Sequence, residues 1–357
     1  VQLPSNAGYS SQYQNLGQTT NRGVELSLNA NLVQTKDFYL DFNFNIAFNK
    51  NKVDALYGAN GDEMILSGGG TETGSDNYRV FVGQEVGLMY GYVSDGMYSF
   101  DDFTFNPTTK KWDIVTTKDE NGVPIVTDCS GVLSRAGGYF GPGHMKLKDL
   151  NGDGVIDADN DRKVIGHALP KHTGGFSFNA GWKGFDVTAM FNWSYGNDIL
   201  NINKVDYTSY TGSKRYQNLS NDMRLANRFT TIDPVTGLNI YYGEYANPDR
   251  LQEINSNASI WHPLMNNTIT TDWLVEDGSF LRLGVLTLGY TLPKYWTQKF
   301  GVKSLRVYAT GNNLFCLTGY SGQDPEVNTS SSNMTPGYDR SAYPKSRSYI
   351  FGLNVTF

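Results

Sequence analysis

The sequence predicts an all-β protein, the wall of a transmembrane antiparallel β-barrel. Three observations carry that prediction: strict two-residue alternation, strand connections that are by turns short and long, and a composition poor in charge. Phe38, Leu40, Phe42, Phe44, Ile46 and Phe48 take every second position, with Tyr39, Asp41, Asn43, Asn45, Ala47 and Asn49 between them. Successive side chains on a strand point to opposite faces, so this segment has one apolar and one amide-rich surface. Tyr349, Phe351, Leu353, Val355 and Phe357 repeat the pattern against Ser348, Ile350, Gly352, Asn354 and Thr356. Alternation alone does not say which face meets solvent. A soluble sandwich turns its apolar side inward, whereas an outer-membrane barrel turns it to lipid and encloses water with the other.

Taken in order, the expected strands are residues 23–33, 38–49, 174–183, 185–195, 279–292, 304–313 and 348–357. In the first, Val24, Leu26, Leu28, Ala30 and Leu32 oppose Glu25, Ser27, Asn29 and Asn31. Phe176, Phe178, Ala180 and Trp182 share a face, as do Phe185, Val187, Ala189, Phe191, Trp193 and Tyr195. Within 279–292 the phase slips. Leu281, Leu283 and Val285 fall on one face, then Leu286, Leu288, Tyr290 and Leu292 on the other, which a β-bulge would produce.

The connections favour lipid over a soluble core. Residues 34–37, 183–184 and 293–303 are short links, while those near 50–78, 94–172, 196–277 and 314–347 are long and polar. Short turns at one end and long loops at the other are the habit of outer-membrane barrels. Loops beyond about 12–15 residues are uncommon in a soluble domain. Parity then requires residues 78–100 to contribute no spanning strand or two, giving about 7–9 strands in all. An open edge in hydrocarbon leaves backbone groups unpaired, so the remaining strands are expected from a region upstream that this chain lacks.

Composition narrows the class further. Charged residues make up 18% of the 357, below the about 25% of an average soluble domain. No apolar run approaches the ~20 residues of a spanning helix, which barrel strands do not need. With 29 basic and 35 acidic residues the chain offers no nucleic-acid footprint. Cys129 and Cys316 are either free thiols or one bridge. The opening Val1-Gln2-Leu3-Pro4 is not a signal peptide, so the chain is expected to be mature or partial.

Several short stretches, in order, resemble the SusC-like TonB-dependent transporters of the Bacteroidota outer membrane. They include Gln14-Asn15-Leu16-Gly17 with Asn21-Arg22-Gly23-Val24-Glu25, and Asp149-Leu150-Asn151-Gly152-Asp153-Gly154 with Val164-Ile165-Gly166. They continue with 273–283 (Trp273 to Leu283), 288–293 (Leu288 to Pro293), 309–315 (Ala309 to Phe315), 322–327 (Gly322 to Val327) and Tyr343-Pro344. The resemblance implies the C-terminal portion of a barrel of about 22 strands, without its N-terminal plug. It implies TonB-driven uptake of oligosaccharides or peptides under a SusD-like surface lipoprotein, in the bacterial outer membrane and in contact with its lipid. By the same resemblance the terminal Phe357 is a barrel-assembly signal.

One motif has sharp chemistry. Asp149, Asn151, Asp153 and Asp157, with the Val155 carbonyl, stand at the steps that wrap a hard cation such as Ca2+, and Gly154 permits the turn. The twelfth position holds Asn160, flanked by Asp159 and Asp161, and we take Asp161 as the last ligand. A solvated acidic turn without an ion is the competing reading. The loop aromatics Tyr207, Tyr210, Tyr216, Tyr241, Tyr242, Trp261, Tyr320, Tyr338 and Tyr343 either contact substrate or lipoprotein, or pack the loops and the interfacial girdle. Asp41, Asn43 and Asn45 are expected to hydrate the lumen. Enzymatic signals are missing. His144, His167, His172 and His262 lack zinc spacing, and Gly68-Gly69-Gly70 precedes no phosphate-loop Lys. Two other functions compete: a secreted calcium-dependent carbohydrate-binding β-sandwich, and a siderophore or cobalamin transporter.

Overall fold

In the computed structural model, residues 8, 17–56, 63–69, 76–133, 140–209, 218–263 and 269–357 are described. Seven strands form one antiparallel sheet: β1 Gly17–Gln34, β2 Phe38–Leu56, β3 His172–Trp182, β4 Phe185–Tyr195, β5 Phe280–Thr291, β6 Ser304–Thr318 and β7 Ser348–Thr356. Each pairs with the next in chain order, so the sheet is a simple up-and-down meander. Residues 78–100 add no strand to it. Tyr78–Phe81 and Leu88–Tyr92 belong instead to a separate four-stranded sheet with Glu63–Leu66 and Arg162–His167. Pairing also outlasts the alternation. β1 starts at Gly17, β2 runs to Leu56 and β6 to Thr318, so the long connections begin later than the apolar pattern suggests.

The register aligns the apolar residues into unbroken rows. One row crosses six strands as Leu28, Phe44, Phe176, Phe191, Leu283 and Phe315. Along it the Phe176 and Phe191 rings stack 4.6 Å apart. The slip in β5 is a bulge, with register breaks at Met190/Phe191 toward β4 and Leu283/Val285 toward β6. It corrects the face assignment read from the period. The extra residue re-phases the strand, so Leu281 and Leu283 share the apolar face with Leu286, Leu288 and Tyr290 rather than opposing them.

Nothing described covers that face. Leu28 is 52% exposed, Leu288 52% and Phe351 80%, and in the whole wall only Val53, Phe280 and Leu283 are buried apolar side chains. A sandwich would have packed these rows against a second sheet about 10 Å away. Among the described residues no second sheet packs on these rows, which argues against the secreted sandwich. The two rims carry rings: His172 and Tyr195 stack 4.9 Å apart at the top of β3 and β4, and Phe185 lies 4.4 Å from Tyr290 at the bottom. From His172 to Trp182 the strand climbs about 33 Å, or roughly 25 Å across a bilayer at barrel tilt.

The other face is hydrogen-bonded from strand to strand. Asn31 donates to Asp41 at 2.6 Å, Asn43 to Ser177 at 3.1 Å, and the Thr287 and Thr310 hydroxyls meet at 2.9 Å. Near the short turns Arg306 reaches over β5 to Asp186, Nε to Oδ1 at 2.9 Å. The strand between must carry glycine there, because a Cβ on Gly289 would lie 2.5 Å from both groups. The tightest turn holds Lys183 at φ 48° and Gly184 at φ 91°, the paired left-handed conformation of a two-residue hairpin.

The hydrophobic core lies in the long connections. One cluster gathers Tyr98, Cys129, Leu133, Leu147, Phe229 and Leu251; a second gathers Tyr78, Met89, Leu200, Ile202, Leu274 and Tyr338. The loops are thus a folded cap standing on one rim of the wall.

A lysine on the apolar face should disturb the protein in a bilayer far more than one on the polar face. Phe178→Lys should cost about 2–4 kcal/mol of folding free energy in lipid vesicles and Asn179→Lys under about 1 kcal/mol, read from denaturant titrations.

Candidate functional site

Where cap meets wall, a cavity of about 850 Å3 opens among Asn201, Lys204, Tyr207, Trp273, Glu276, Gln323, Tyr343 and their neighbours. Three short elements build it. Asp198–Asn201 pairs antiparallel with Val275–Asp277 and parallel with Tyr338–Asp339. The helix Asn203–Thr208 follows directly and sets Lys204 over the floor. Lys204 Nζ lies 3.2 Å from Glu276 Oε1 and 4.2 Å from the Trp273 ring centroid, an ion pair and a cation–π contact from one ammonium. Glu276 also accepts from the Ser321 N–H and hydroxyl, both at 2.8 Å, and from Asn201 at 3.2 Å. Burial pushes the Glu276 carboxyl up, but the Ser321 donors and the Lys204 charge outweigh it and hold it below its usual 4.5. A cavity with aromatic planes, amides, hydroxyls and fixed charges can hold a polar, multi-hydroxyl or amide-bearing molecule by stacking and directed hydrogen bonds.

Just below, three sequence motifs converge. Arg282, 4% exposed, donates to Asn313 and, at 2.6 Å, to Asp324; its Nε lies 2.8 Å from Glu326. Asn313, at φ 53°, donates in turn to the Lys345 carbonyl at 2.9 Å, and Lys345 Nζ lies 2.7 Å from Glu326. This buried ionic latch draws residues 322–326 toward the lumen face of β5, where Pro325 and Glu326 border a second, 480 Å3 hollow with Asn45 and Asn192.

The acidic motif folds as a self-capped turn. Asp149 accepts from the N–H groups of Gly152 and Gly154 at 2.6 and 2.7 Å. Asn151 donates to Asp153 at 2.9 Å, and Asp153 accepts from the Val155 N–H at 2.9 Å. Asp161, fully buried, accepts from Leu150 and Asp157 N–H at 2.9 and 2.8 Å. Donors from Asn160, backbone and side chain, hold the Asp157 carboxyl below its usual value. Among the described residues no three His, Cys, Asp or Glu side chains stand close enough to share a metal ion. As folded, these oxygens serve backbone amides.

Most loop aromatics pack. Tyr241, Trp261, Tyr320 and Tyr338 are buried, Tyr242 packs against the first cluster, and Trp261 meets Trp273 edge-on at 4.8 Å. Among the described loop tyrosines, Tyr207 and Tyr343, the latter 92% exposed, open into the large cavity. Tyr210 and Tyr216, Gly70 of the glycine run, and Gln14 to Leu16 of the first motif lie outside the described residues. Phe357 is exposed at the end of β7. Cys129 and Cys316 are both free, the first buried in the cap. Sequence reading missed Lys204, Trp273 and Glu276 as a group. Trp273 and Glu276 stand in one quoted motif, but nothing in the order of residues says that Lys204 lies across from them.

No protein-family model matches the chain. Curated relatives do. Over 361 residues it is 29% identical to TonB-dependent receptor P3 of Formosa agariphila, covering 99% of this chain and 30% of that protein. Over 363 residues it is 26% identical to TonB-dependent receptor SusC of Bacteroides thetaiotaomicron, covering 100% and 28%. Among solved structures it superposes on the RagAB peptide importer in its 'closed-closed' state with a TM-score of 0.64 at 22% identity, covering all of this chain and 32% of that one. The chain thus spans about a third of the length of the proteins it matches.

A depressed carboxyl stabilises the fold above its unfolded pKa and loses that contribution as pH falls through the folded one. Glu276→Gln should therefore cost about 2 kcal/mol at neutral pH. The gap to the unsubstituted protein should close once the pH drops below the usual 4.5, as followed by thermal unfolding across a pH series.

Proposed function

The chain belongs to the SusC-like TonB-dependent receptors of the bacterial outer membrane, and from that premise we propose that it forms part of the wall and the external collar of a nutrient importer. One observation carries the reading: an uncovered apolar face about one bilayer tall backs onto a hydrogen-bonded polar face, with a folded cap on a single rim. Such a wall encloses water, and its cap is placed to meet solutes from outside. β1 and β7 each leave one edge unpaired within this sheet, and in lipid those edges require further strands. The plug and the TonB-contacting segment would lie in the part of the relatives that this chain does not match.

The cargo is an oligosaccharide or a peptide, captured at the cap together with a SusD-like lipoprotein. The 850 Å3 cavity supports this through its chemistry, with exposed Tyr207 and Tyr343 beside Asn201, Gln323 and the Lys204–Glu276 pair. Both cargo classes present rings or planar amides together with many hydrogen-bonding groups. The chain is not an enzyme, in keeping with relatives named as receptors. A tagged intact receptor should co-purify from outer membranes with the lipoprotein encoded beside it, and its deletion should abolish growth on one oligosaccharide or peptide mixture. Growth lost only under iron or cobalamin limitation would favour the siderophore or cobalamin reading instead.

For the turn containing Asp149, Asn151, Asp153, Val155, Asp157 and Asp161 we propose a structural Ca2+. Binding would require Asp149, Asp153 and Asp157 to give up the amides they now accept from. Millimolar Ca2+ should then raise the Tm of the protein, and Asp149→Asn should remove the rise. An unchanged Tm would leave the turn as self-sufficient.

A further inference from the structure

A further cleft, of about 710 Å3, lies on the outer rim of the wall and shares no lining residue with the 850 Å3 cavity. Arg22, Val24, Phe48, Lys50 and Lys171 line it. Pairing sets Arg22 opposite Lys50 and Val24 opposite Phe48. Residues two apart on a strand share a face, so both cations stand directly above the apolar rows on the lipid-facing side. Lys171 enters from just beyond the top of β3. Beneath them Phe48 lies 5.5 Å from His172, which stacks on Tyr195. A ring layer of this kind marks the boundary between hydrocarbon and headgroups. The cations are therefore at headgroup height.

Their electrostatics are only partly compensated: one carboxylate, Glu85, lines the cleft, and Asp198 feels the Lys171 charge. Like charges directly opposed across two strands repel. No ion pair or side-chain hydrogen bond involves Arg22, Lys50 or Lys171 among the described residues. Of the carboxylates nearby, Asp198 accepts from the His167 N–H at 2.7 Å, Glu85 faces the His167 ring at 2.8 Å, and Asp54, higher on β2, accepts from the Thr20 hydroxyl. The chain as a whole carries a net charge of −6, so three cations around one cleft run against its overall balance. An anion at this height would relieve the repulsion.

We propose that the cleft holds the phosphorylated headgroup of an outer-leaflet lipid, its phosphate among Arg22, Lys50 and Lys171 and its acyl chains along Val24 and Phe48. The apolar floor selects a lipid over free phosphate, which would leave Val24 and Phe48 uncovered. The cleft is also far larger than a phosphate ion needs. The proposal rests on the wall standing in the outer membrane, and on neither the cargo nor the lipoprotein partner.

The test uses the intact receptor in detergent, titrated with lipid A carrying its phosphate esters, with dephosphorylated lipid A, and with inorganic phosphate, bound lipid being counted by native mass spectrometry. Arg22→Gln, Lys50→Gln and Lys171→Gln should each weaken binding of the phosphorylated lipid about fivefold, and the triple variant on the order of a hundredfold. Lys299→Gln, near the short turns, should leave it unchanged. Heat-modifiable migration on gels confirms that each variant is a folded barrel. Equal binding to the triple variant, or equal binding of the dephosphorylated lipid, would overturn the proposal. So would inorganic phosphate competing as well as the lipid. Cargo uptake is scored separately: lipid binding retained with import lost counts against the import reading alone.

Discussion

A strand that crosses a bilayer has no water to satisfy its N–H and C=O groups, so every one must be paired with a neighbouring strand. That constraint explains the long, in-register pairing of β1 to β7 and leaves the side chains to sort by face alone. Packing in the wall is lateral, ring against ring along the rows, because among the described residues no second layer covers its apolar face. Their stabilisation comes from lipid, and their order from the ladder. The glycines fit the same logic: Gly181 lies under the Tyr39 ring and Gly352 under that of Tyr308, so a large polar-face side chain on one strand covers a bare position on the next.

The cap obeys the opposite rule. It is in water, so its two buried clusters hold it together as they would a soluble domain, and most of its aromatics are consumed there. Tyr207 and Tyr343 stay outside these clusters, at the cavity where cap and wall meet. The Arg282 latch ties these two regimes to one another. An arginine on a spanning strand reaches Asp324 and Glu326 of a cap loop, in a setting where removal of one partner would strand a buried charge.

The wall was legible in the sequence because one period governs it. The seven alternating segments and the unequal loops follow from where alternation starts and stops, while only the structure shows that residues 78–100 add no strand to the wall. The exceptions have local causes. Strand ends ran past the apolar pattern because ladder pairing continues through Lys50, Asn51 and Lys52 above the membrane. The bulge at 283–285 was visible as a phase slip, but that it returns both apolar runs to one face emerges only from the pairing. The cap was legible only as loops, since its short strands and turns lack periodicity. The Lys204–Glu276 pair joins residues 72 apart in sequence through a three-stranded sheet that includes a parallel pairing, a geometry with no local signature. The acidic turn was recognisable as a motif, yet its oxygens proved to serve the backbone.

A membrane wall requires its apolar face to touch acyl chains while its amide face touches water. Spin labels placed singly from Phe176 to Gly181 of the intact receptor in bilayers would report this directly. Accessibility to oxygen should peak at 176, 178 and 180, and accessibility to a water-soluble nickel chelate at 177, 179 and 181. Labels at 176, 178 and 180 shielded from both reagents would mean a protein partner covers them, and the membrane wall would be refuted.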